Sequence, residues 1–197
     1  MATRNNQIII HCRGRGSGKT TYYIGNTELG VPGIIPVYRD KHPLKSIIVM
    51  DTFDADAYRH LPIANSISDI TMLTGSTFRI VDPDTSKLWR VLNRNVMNAL
   101  VIVEDATRFV GTKLTDDQKT IVLDSKQKNI DMFWTFHSLM SIPPDLVRIS
   151  DTLVLGKTNE NFTSYLRNKF PISGLEQGFQ EVKTNKNKYF NKTLLIQ

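Results

Sequence analysis

Residues 8–21 have the sequence IIIHCRGRGSGKTT, and this stretch decides the fold class of the chain. Three consecutive β-branched residues predict a strand from Gln7 to Cys12 that is buried on both faces. A glycine-rich turn follows the strand directly, and a helix is predicted from about Lys19 to Asn26. The order strand, glycine-rich turn, helix is that of a loop that holds phosphate groups at the edge of a parallel sheet.

The glycine-rich turn has the chemistry of a P-loop. Glycines let successive backbone N–H groups turn inward and form a concavity for phosphate oxygens, and the positive end of the following helix favours the same anion. Lys19 can reach the terminal phosphates of ATP, and the Thr20 hydroxyl can bind Mg²⁺. We therefore expect ATP to be held by Gly14, Arg15, Gly16, Ser17, Gly18, Lys19, Thr20 and Thr21.

The first half of the loop departs from the usual pattern. That pattern is Gly, four residues, then Gly-Lys-Ser/Thr, which requires a glycine at position 13, where this chain has Arg13. Gly14 stands one place late. Because residues 16–21 keep the half that contacts phosphate, the departure affects the geometry at the start of the loop more than nucleotide binding.

An acidic pair closes the strongest predicted strand, Ala99 to Val103. In P-loop enzymes that hydrolyse ATP, one carboxylate at such a strand end holds Mg²⁺ through water, and an adjacent one orients the attacking water. We assign Glu104 to the metal side and Asp105 to the water. The usual order is Asp then Glu, so the two roles can also be shared differently. Asp51, at the end of another apolar run, is the alternative metal-side residue.

Further candidates follow a predicted strand from Ile130 to Phe136. His137 can contact the terminal phosphate or the attacking water, although a histidine that merely completes a turn is an equally ordinary interpretation. Phosphoryl transfer also builds up charge that a cation from a neighbouring subunit can stabilise. The candidates for this cation, of which we prefer Arg148 and Lys126, are Arg108, Lys126, Lys128 and Arg148.

The remaining pattern alternates apolar strands with helices. Strands are predicted over 46–50, 77–81 and 151–155, and helices over 86–95, 115–128 and 159–169. This alternation indicates an α/β fold with a mostly parallel central sheet and helices on both faces. At 197 residues the chain is expected to form a single domain over 1–197. Residues 180–197 are expected to be a basic C-terminal extension or edge strands.

Composition limits the partners. The net charge of +6 favours a polyanionic partner. The sequence has no signal-peptide pattern and no apolar run near the roughly 20 residues that cross a bilayer, so a soluble protein without a membrane span is expected. Cys12 is the only cysteine and cannot form an internal disulfide. We expect it to be buried at a strand end, in a protein of a reducing compartment.

The chain resembles the FtsK/HerA superfamily of DNA-pumping P-loop ATPases, particularly its viral genome-packaging branch, with a RecA/FtsK-like fold. The likeness spans about residues 7–157 and rests on the strand and loop of residues 8–20, on residues 100–105, and on residues 128–151 with His137 where the family often has glutamine. The resemblance implies an ATP- and Mg²⁺-dependent homo-oligomeric ring, a hexamer or pentamer, that threads double-stranded DNA. It further implies capsid or portal-vertex partners, in the host cytoplasm or the virion.

Two alternatives remain open from the sequence. Zonular-occludens-toxin-like assembly ATPases of filamentous phages share the same arrangement, but they usually carry a transmembrane segment. A small-molecule or nucleoside kinase can use the same loop, but it needs an acceptor site and usually an arginine-rich lid. No arginine cluster lies between His137 and the strand at 151–155.

Overall fold

Seven strands form one sheet in the described part of the chain, residues 6–51, 54–81 and 85–196 of a computed structural model. The order across the sheet is β3-β2-β4-β5-β1-β6-β7. All neighbouring strands are parallel except β7, which pairs antiparallel with β6 at one edge. The strands are β1 (Ile8–Cys12), β2 (Ser46–Asp51), β3 (Thr77–Val81), β4 (Ala99–Val103), β5 (Ile130–Phe136), β6 (Thr152–Leu155) and β7 (Lys192–Leu195).

Continuous apolar runs explain the central strands. Every residue of β2, β4, β5 and β6 is buried, as expected for parallel strands covered on both faces. The strands predicted at 77–81, 99–103 and 130–136 are confirmed with the same bounds. Cys12 ends β1 and is fully buried, as predicted, and this burial raises the pKa of its thiol.

Helices cover both faces of the sheet. Alternate strand residues divide the core into two clusters: Tyr23 of α1 packs with Ile47 and Leu100 on one face, while Trp89 of α4 and Ile121 of α5 belong to the cluster on the other. The predicted α/β architecture with a mostly parallel sheet is therefore confirmed. The helices are α1 (Lys19–Ile24), α2 (Ile34–Lys41), α3 (Ile67–Met72), α4 (Thr85–Asn95), α5 (Asp116–Lys128), α6 (Pro144–Ile149), α7 (Ser164–Lys169) and α8 (Leu175–Thr184).

Two helix boundaries differ from the prediction by two residues or more. The helix predicted over 159–169 begins only at Ser164, because the Thr163 hydroxyl accepts the Leu166 N–H and caps the helix there. The first helix ends at Ile24 rather than Asn26, because Gly25 turns the chain with a φ of 85°. In the basic tail, α8 is followed by a turn and then by the single edge strand β7.

The order of the strands places the candidate functional segments together. β5 lies between β1 and β4, so the carboxyl ends of these three strands are adjacent. The glycine-rich loop follows β1, the acidic pair follows β4 and His137 follows β5. In open parallel sheets, ligands bind at the carboxyl ends of the strands, so this edge is where a nucleotide site is expected.

Candidate functional site

The loop after β1 has the backbone of a phosphate cradle. Gly16 and Gly18 have φ angles of 69° and 89°, a left-handed conformation that glycine adopts without steric cost. The Ser17 hydroxyl donates to the Gly14 carbonyl at 2.5 Å, which closes the loop on itself. Gly18 is the N-cap of α1, so Lys19 and Thr20 stand on the first turn of the helix.

The unusual start of the loop is well anchored. The Arg13 N–H donates to the Phe136 carbonyl at 2.9 Å, and the Gly14 N–H donates to the Lys157 carbonyl at the same distance. The chain leaving β1 is thus bonded to the last residue of β5 and to the segment that follows β6. Arg13 stands where the usual pattern has glycine, and the start of the loop is nevertheless hydrogen-bonded to the edge of the sheet.

A chain of three side chains crosses this edge. Lys19 Nζ donates to Nδ1 of the His137 ring. The other ring nitrogen, Nε2, lies 3.2 Å from Asp105 Oδ1. The loop lysine, the histidine after β5 and the second carboxylate after β4 are therefore in contact through one imidazole. The sequence predicted all three residues, and the structure brings them together.

Burial and neighbouring charges shift the ionisation of this cluster. Burial lowers the pKa of Lys19, while Glu104 and Asp105 oppose that shift by stabilising its charge. Burial also lowers the pKa of His137, the Lys19 ammonium lowers it further, and Asp105 acts in the opposite direction. Burial and Lys19 thus favour the neutral imidazole, which can accept a hydrogen bond from Lys19.

The two adjacent carboxylates have different surroundings. Asp105 lines the cleft and has a left-handed backbone, with φ 48° and ψ 58°, and its carboxylate accepts a hydrogen bond from the Thr107 hydroxyl. The Tyr58 hydroxyl donates to Glu104 Oε1 at 2.5 Å. Burial raises the pKa of Glu104, although Tyr58 and Lys19 partly offset this. Asp105 therefore faces the cleft, whereas Glu104 is held by Tyr58.

Asp51, the alternative metal-side residue, is bonded to a buried cation. Its Oδ2 lies 2.9 Å from Arg79 Nη1, and both side chains are almost completely buried. Both Asp51 carboxylate oxygens also accept the Ala55 N–H at 3.1 Å. A carboxylate already neutralised by a buried guanidinium has less to gain from Mg²⁺, so Glu104 remains the better metal-side candidate.

The donor set fits a magnesium ion that arrives with a nucleotide. Among residues 6–51, 54–81 and 85–196, no group of three or more His, Cys, Asp or Glu side chains is arranged to hold a metal by itself. Mg²⁺ usually keeps several waters and is held by one or two protein oxygens together with substrate phosphates. Thr20 lines the cleft and can supply one such oxygen, whereas Glu104, although its charge acts on Lys19, is not among the described residues that line the cleft.

Three of the four cation candidates lie at the opposite edge of the sheet from the cleft. Lys126 and Lys128 are in the last turn of α5, before the start of β5, and Arg148 is in the last turn of α6, before β6. These three positions belong to the amino edge of the sheet. Arg108 follows the acidic pair at the carboxyl edge. None of the four is among the described residues that line the cleft in their own chain.

The cleft at the loop has a volume of about 690 Å³ and includes two residues that the sequence did not predict. Lys188 and Tyr189 reach it from the basic tail; the composition change there was visible, but nothing local indicated contact with the loop. The residues that line the cleft are Arg15, Gly16, Gly18, Lys19, Thr20, Thr21, Asp105, His137, Lys188 and Tyr189.

A larger groove of about 910 Å³ lies at the amino edge of the sheet, beneath α2. Two of its charged groups are paired with each other: Lys45 Nζ lies 3.1 Å from Asp131 Oδ2, and the Tyr38 hydroxyl donates to the same carboxylate. Among the described residues, neither the glycine-rich loop nor Glu104, Asp105 or His137 borders this groove. The cleft at the loop is therefore the candidate functional site.

Solved structures of viral packaging proteins share this architecture. The genome-packaging NTPase B204 from Sulfolobus turreted icosahedral virus 2, in complex with ATP-gammaS, superposes with a TM-score of 0.66 at 16% identity over 96% of both chains. The fold is that of a P-loop NTPase. The same viral protein in complex with AMPPCP superposes with a TM-score of 0.68 at 17% identity, over 96% of this chain and 97% of that chain.

A third structure is the DNA-packaging ATPase B204 from Sulfolobus turreted icosahedral virus, with a TM-score of 0.68 at 14% identity over 95% of this chain and 96% of that one. No protein-family model and no curated protein sequence matches the chain. The predicted likeness to viral genome-packaging P-loop ATPases is confirmed at the level of the fold.

In addition, no helix in the described residues is long and apolar enough to cross a membrane.

Proposed function

We propose that the chain hydrolyses ATP and uses the energy to move double-stranded DNA into a viral particle. The observation that carries the proposal is the contact between the loop lysine and the acidic strand end: Lys19 and Asp105 both touch the ring of His137. A cation for the phosphates and a carboxylate for water thus meet in one cleft. The likeness to nucleotide-bound packaging NTPases supports the same function.

The residues divide the reaction among them. The amides of the loop and the Lys19 ammonium bind the phosphates and offset charge on the transferred group. When bound, Mg²⁺ neutralises phosphate charge, and Thr20 and Glu104 would hold it. Asp105 orients a water and accepts its proton; the water oxygen attacks the terminal phosphorus while the bond to the bridging oxygen breaks, which yields ADP and phosphate. His137 touches both Lys19 and Asp105 and senses the terminal phosphate.

The polymer and the assembly are proposed on different grounds. A net charge of +6 favours a polyanion such as DNA, and the similar viral proteins are packaging NTPases. We infer a homo-oligomeric ring of five or six subunits, because the cleft of one chain is not lined by any of the four candidate cations. Arg148 or Lys126 of a neighbouring subunit would complete it. Capsid or portal-vertex proteins in the host cytoplasm or virion are the expected partners.

The test is ATP hydrolysis with and without double-stranded DNA over a range of salt concentrations. The rate should rise on adding DNA at low salt, and the rise should fade as salt increases, because phosphate contacts release counterions. Lys19→Ala serves as the control for contaminating activity. A rate indifferent to DNA at every salt concentration would contradict the motor, and a rate raised instead by nucleosides would favour a kinase.

A further inference from the structure

The basic tail lies directly on the glycine-rich loop. A Cβ atom built on Gly18 would lie 2.6 Å from Tyr189 Cε1 and 2.7 Å from Cδ1, which means that the tyrosine ring is packed against the loop backbone. Lys188 and Tyr189 line the cleft together with Thr20 and Thr21. The tail therefore forms one wall of the cleft beside the first turn of α1.

The residue that departs from the usual loop pattern holds this wall. The side chain of Arg13 is fully buried, and its Nη2 donates to the carbonyls of Lys188 and Phe190, both at 2.9 Å. These two carbonyls flank Tyr189. Gly156 makes room for the arginine, because a Cβ there would lie 2.2 Å from Arg13 Nε. An arginine in place of the usual glycine thus ties the start of the loop to the tail.

The tail itself is fixed on both sides of Tyr189. The Tyr189 N–H donates to Asn187 Oδ1 at 2.9 Å, and the Phe190 N–H donates to the Asn187 carbonyl at 3.1 Å. Beyond the turn, β7 pairs with β6. The position of the Tyr189 ring is consequently set by backbone contacts from the turn, from Arg13 and from the sheet edge.

We propose that Tyr189 forms the base-binding side of the nucleotide site and that Arg13 is its positioning residue. This inference rests on the proposed function, because it assigns the part of ATP that the loop does not bind. With the phosphates on the loop and on Lys19, the base lies beyond them in the cleft, where Tyr189 stands. The Lys188 ammonium lies 5.0 Å from the Tyr189 ring centroid, so this ring face is approached by a long, exposed side chain that a base can displace.

The experiment compares binding of ATP with binding of inorganic triphosphate, which has the phosphates but no base. Aromatic stacking of one base corresponds to a roughly 5- to 150-fold change in Kd. Tyr189→Ala should raise the Kd of ATP by this factor and leave that of triphosphate unchanged, whereas Tyr189→Phe should keep both. Tyr165→Ala, at an exposed tyrosine on α7, is the matched control and should change neither.

Arg13→Gly restores the usual loop pattern and should reproduce the selective loss of ATP affinity seen with Tyr189→Ala. If Arg13→Gly fails to fold, the comparison of Tyr189→Ala with Tyr189→Phe still tests the inference. Equal loss of ATP and triphosphate in Tyr189→Ala would overturn the inference, since the ring would then only support the loop. Unchanged affinity for both ligands would also overturn it. A wild-type protein that binds neither ligand would overturn the proposed function as well.

Discussion

His137 stands between a cation and a carboxylate, and its ionisation follows from both. The Lys19 ammonium disfavours a second positive charge on the ring, and the Asp105 carboxylate favours it. Burial adds to the effect of Lys19. The pKa of His137 therefore depends on the arrangement of the whole cluster, because removing either neighbour changes it in a known direction.

A pH titration of the His137 imidazole by NMR tests this arrangement. The midpoint should lie below the ordinary value of 6.5 for histidine, because burial and Lys19 both lower the pKa. It should fall further in Asp105→Asn and rise in Lys19→Met, and His137→Asn identifies the resonance by removing it. A midpoint at or above 6.5, or shifts of the opposite sign, would contradict the contacts between these three residues.

At this scale the sequence predicted residues that stand next to strand ends. His137 follows β5 directly, Asp105 lies two residues after β4, and Lys19 begins the helix after the loop that follows β1, so the sheet determines where they meet. Tyr58 and Tyr189 were not predictable, because each reaches the site from a segment distant in sequence. Arg13 was recognised as a departure, but its bonds to residues 188 and 190 required the tertiary structure.

Among the elements, α5 has the clearest local signal. Thr115 caps it in both directions: its hydroxyl accepts the Gln118 N–H at 3.3 Å, and Gln118 Oε1 accepts the Thr115 N–H at 2.9 Å. Gln118 also donates to the Phe109 carbonyl at 2.7 Å. This capping box fixes the start of the helix that leads into β5 and, at the far end of that strand, to His137.

Thr115→Ala should destabilise the protein by about 1 kcal/mol through loss of the cap. For a chain of this length, that corresponds to a fall in Tm of about 2–4 °C. Thr120→Ala, five residues later on the exposed side of the same helix, is the matched control and should change the stability by less than about 0.5 kcal/mol. Thermal unfolding of both variants is the measurement, and equal effects of the two substitutions would mean that the cap contributes nothing.

Strands were predicted better than helix ends because their signal is continuous burial. β4 is apolar throughout and fully buried, and its continuous apolar run was enough to predict it. The start of α7 depended on one hydroxyl, that of Thr163, which the pattern of apolar residues does not contain. The edge strand β7 pairs with β6 through backbone bonds, but it is only four residues long and lies in a basic tail, so the sequence left a loose extension and edge strands as alternatives.

For the whole molecule, the strand order creates the site. β5 is inserted between β1 and β4, and it separates the loop lysine from the acidic pair by the width of one strand, which the His137 ring spans. The alternation of strands and helices predicted a parallel sheet, but it does not specify the order of strands across it. The likeness of this sheet to that of packaging NTPases extends over nearly the full chain.

The central claim is that Lys19 and Asp105 act on one bound ATP. It is tested by measuring ATP hydrolysis in the presence of Mg²⁺ for the wild type, Lys19→Ala and Asp105→Asn, with ATP binding followed in parallel. We expect Lys19→Ala to abolish turnover and Asp105→Asn to lower it by about 10²- to 10⁴-fold while it still binds ATP. Wild-type turnover in either variant would show that these two residues do not form an active centre.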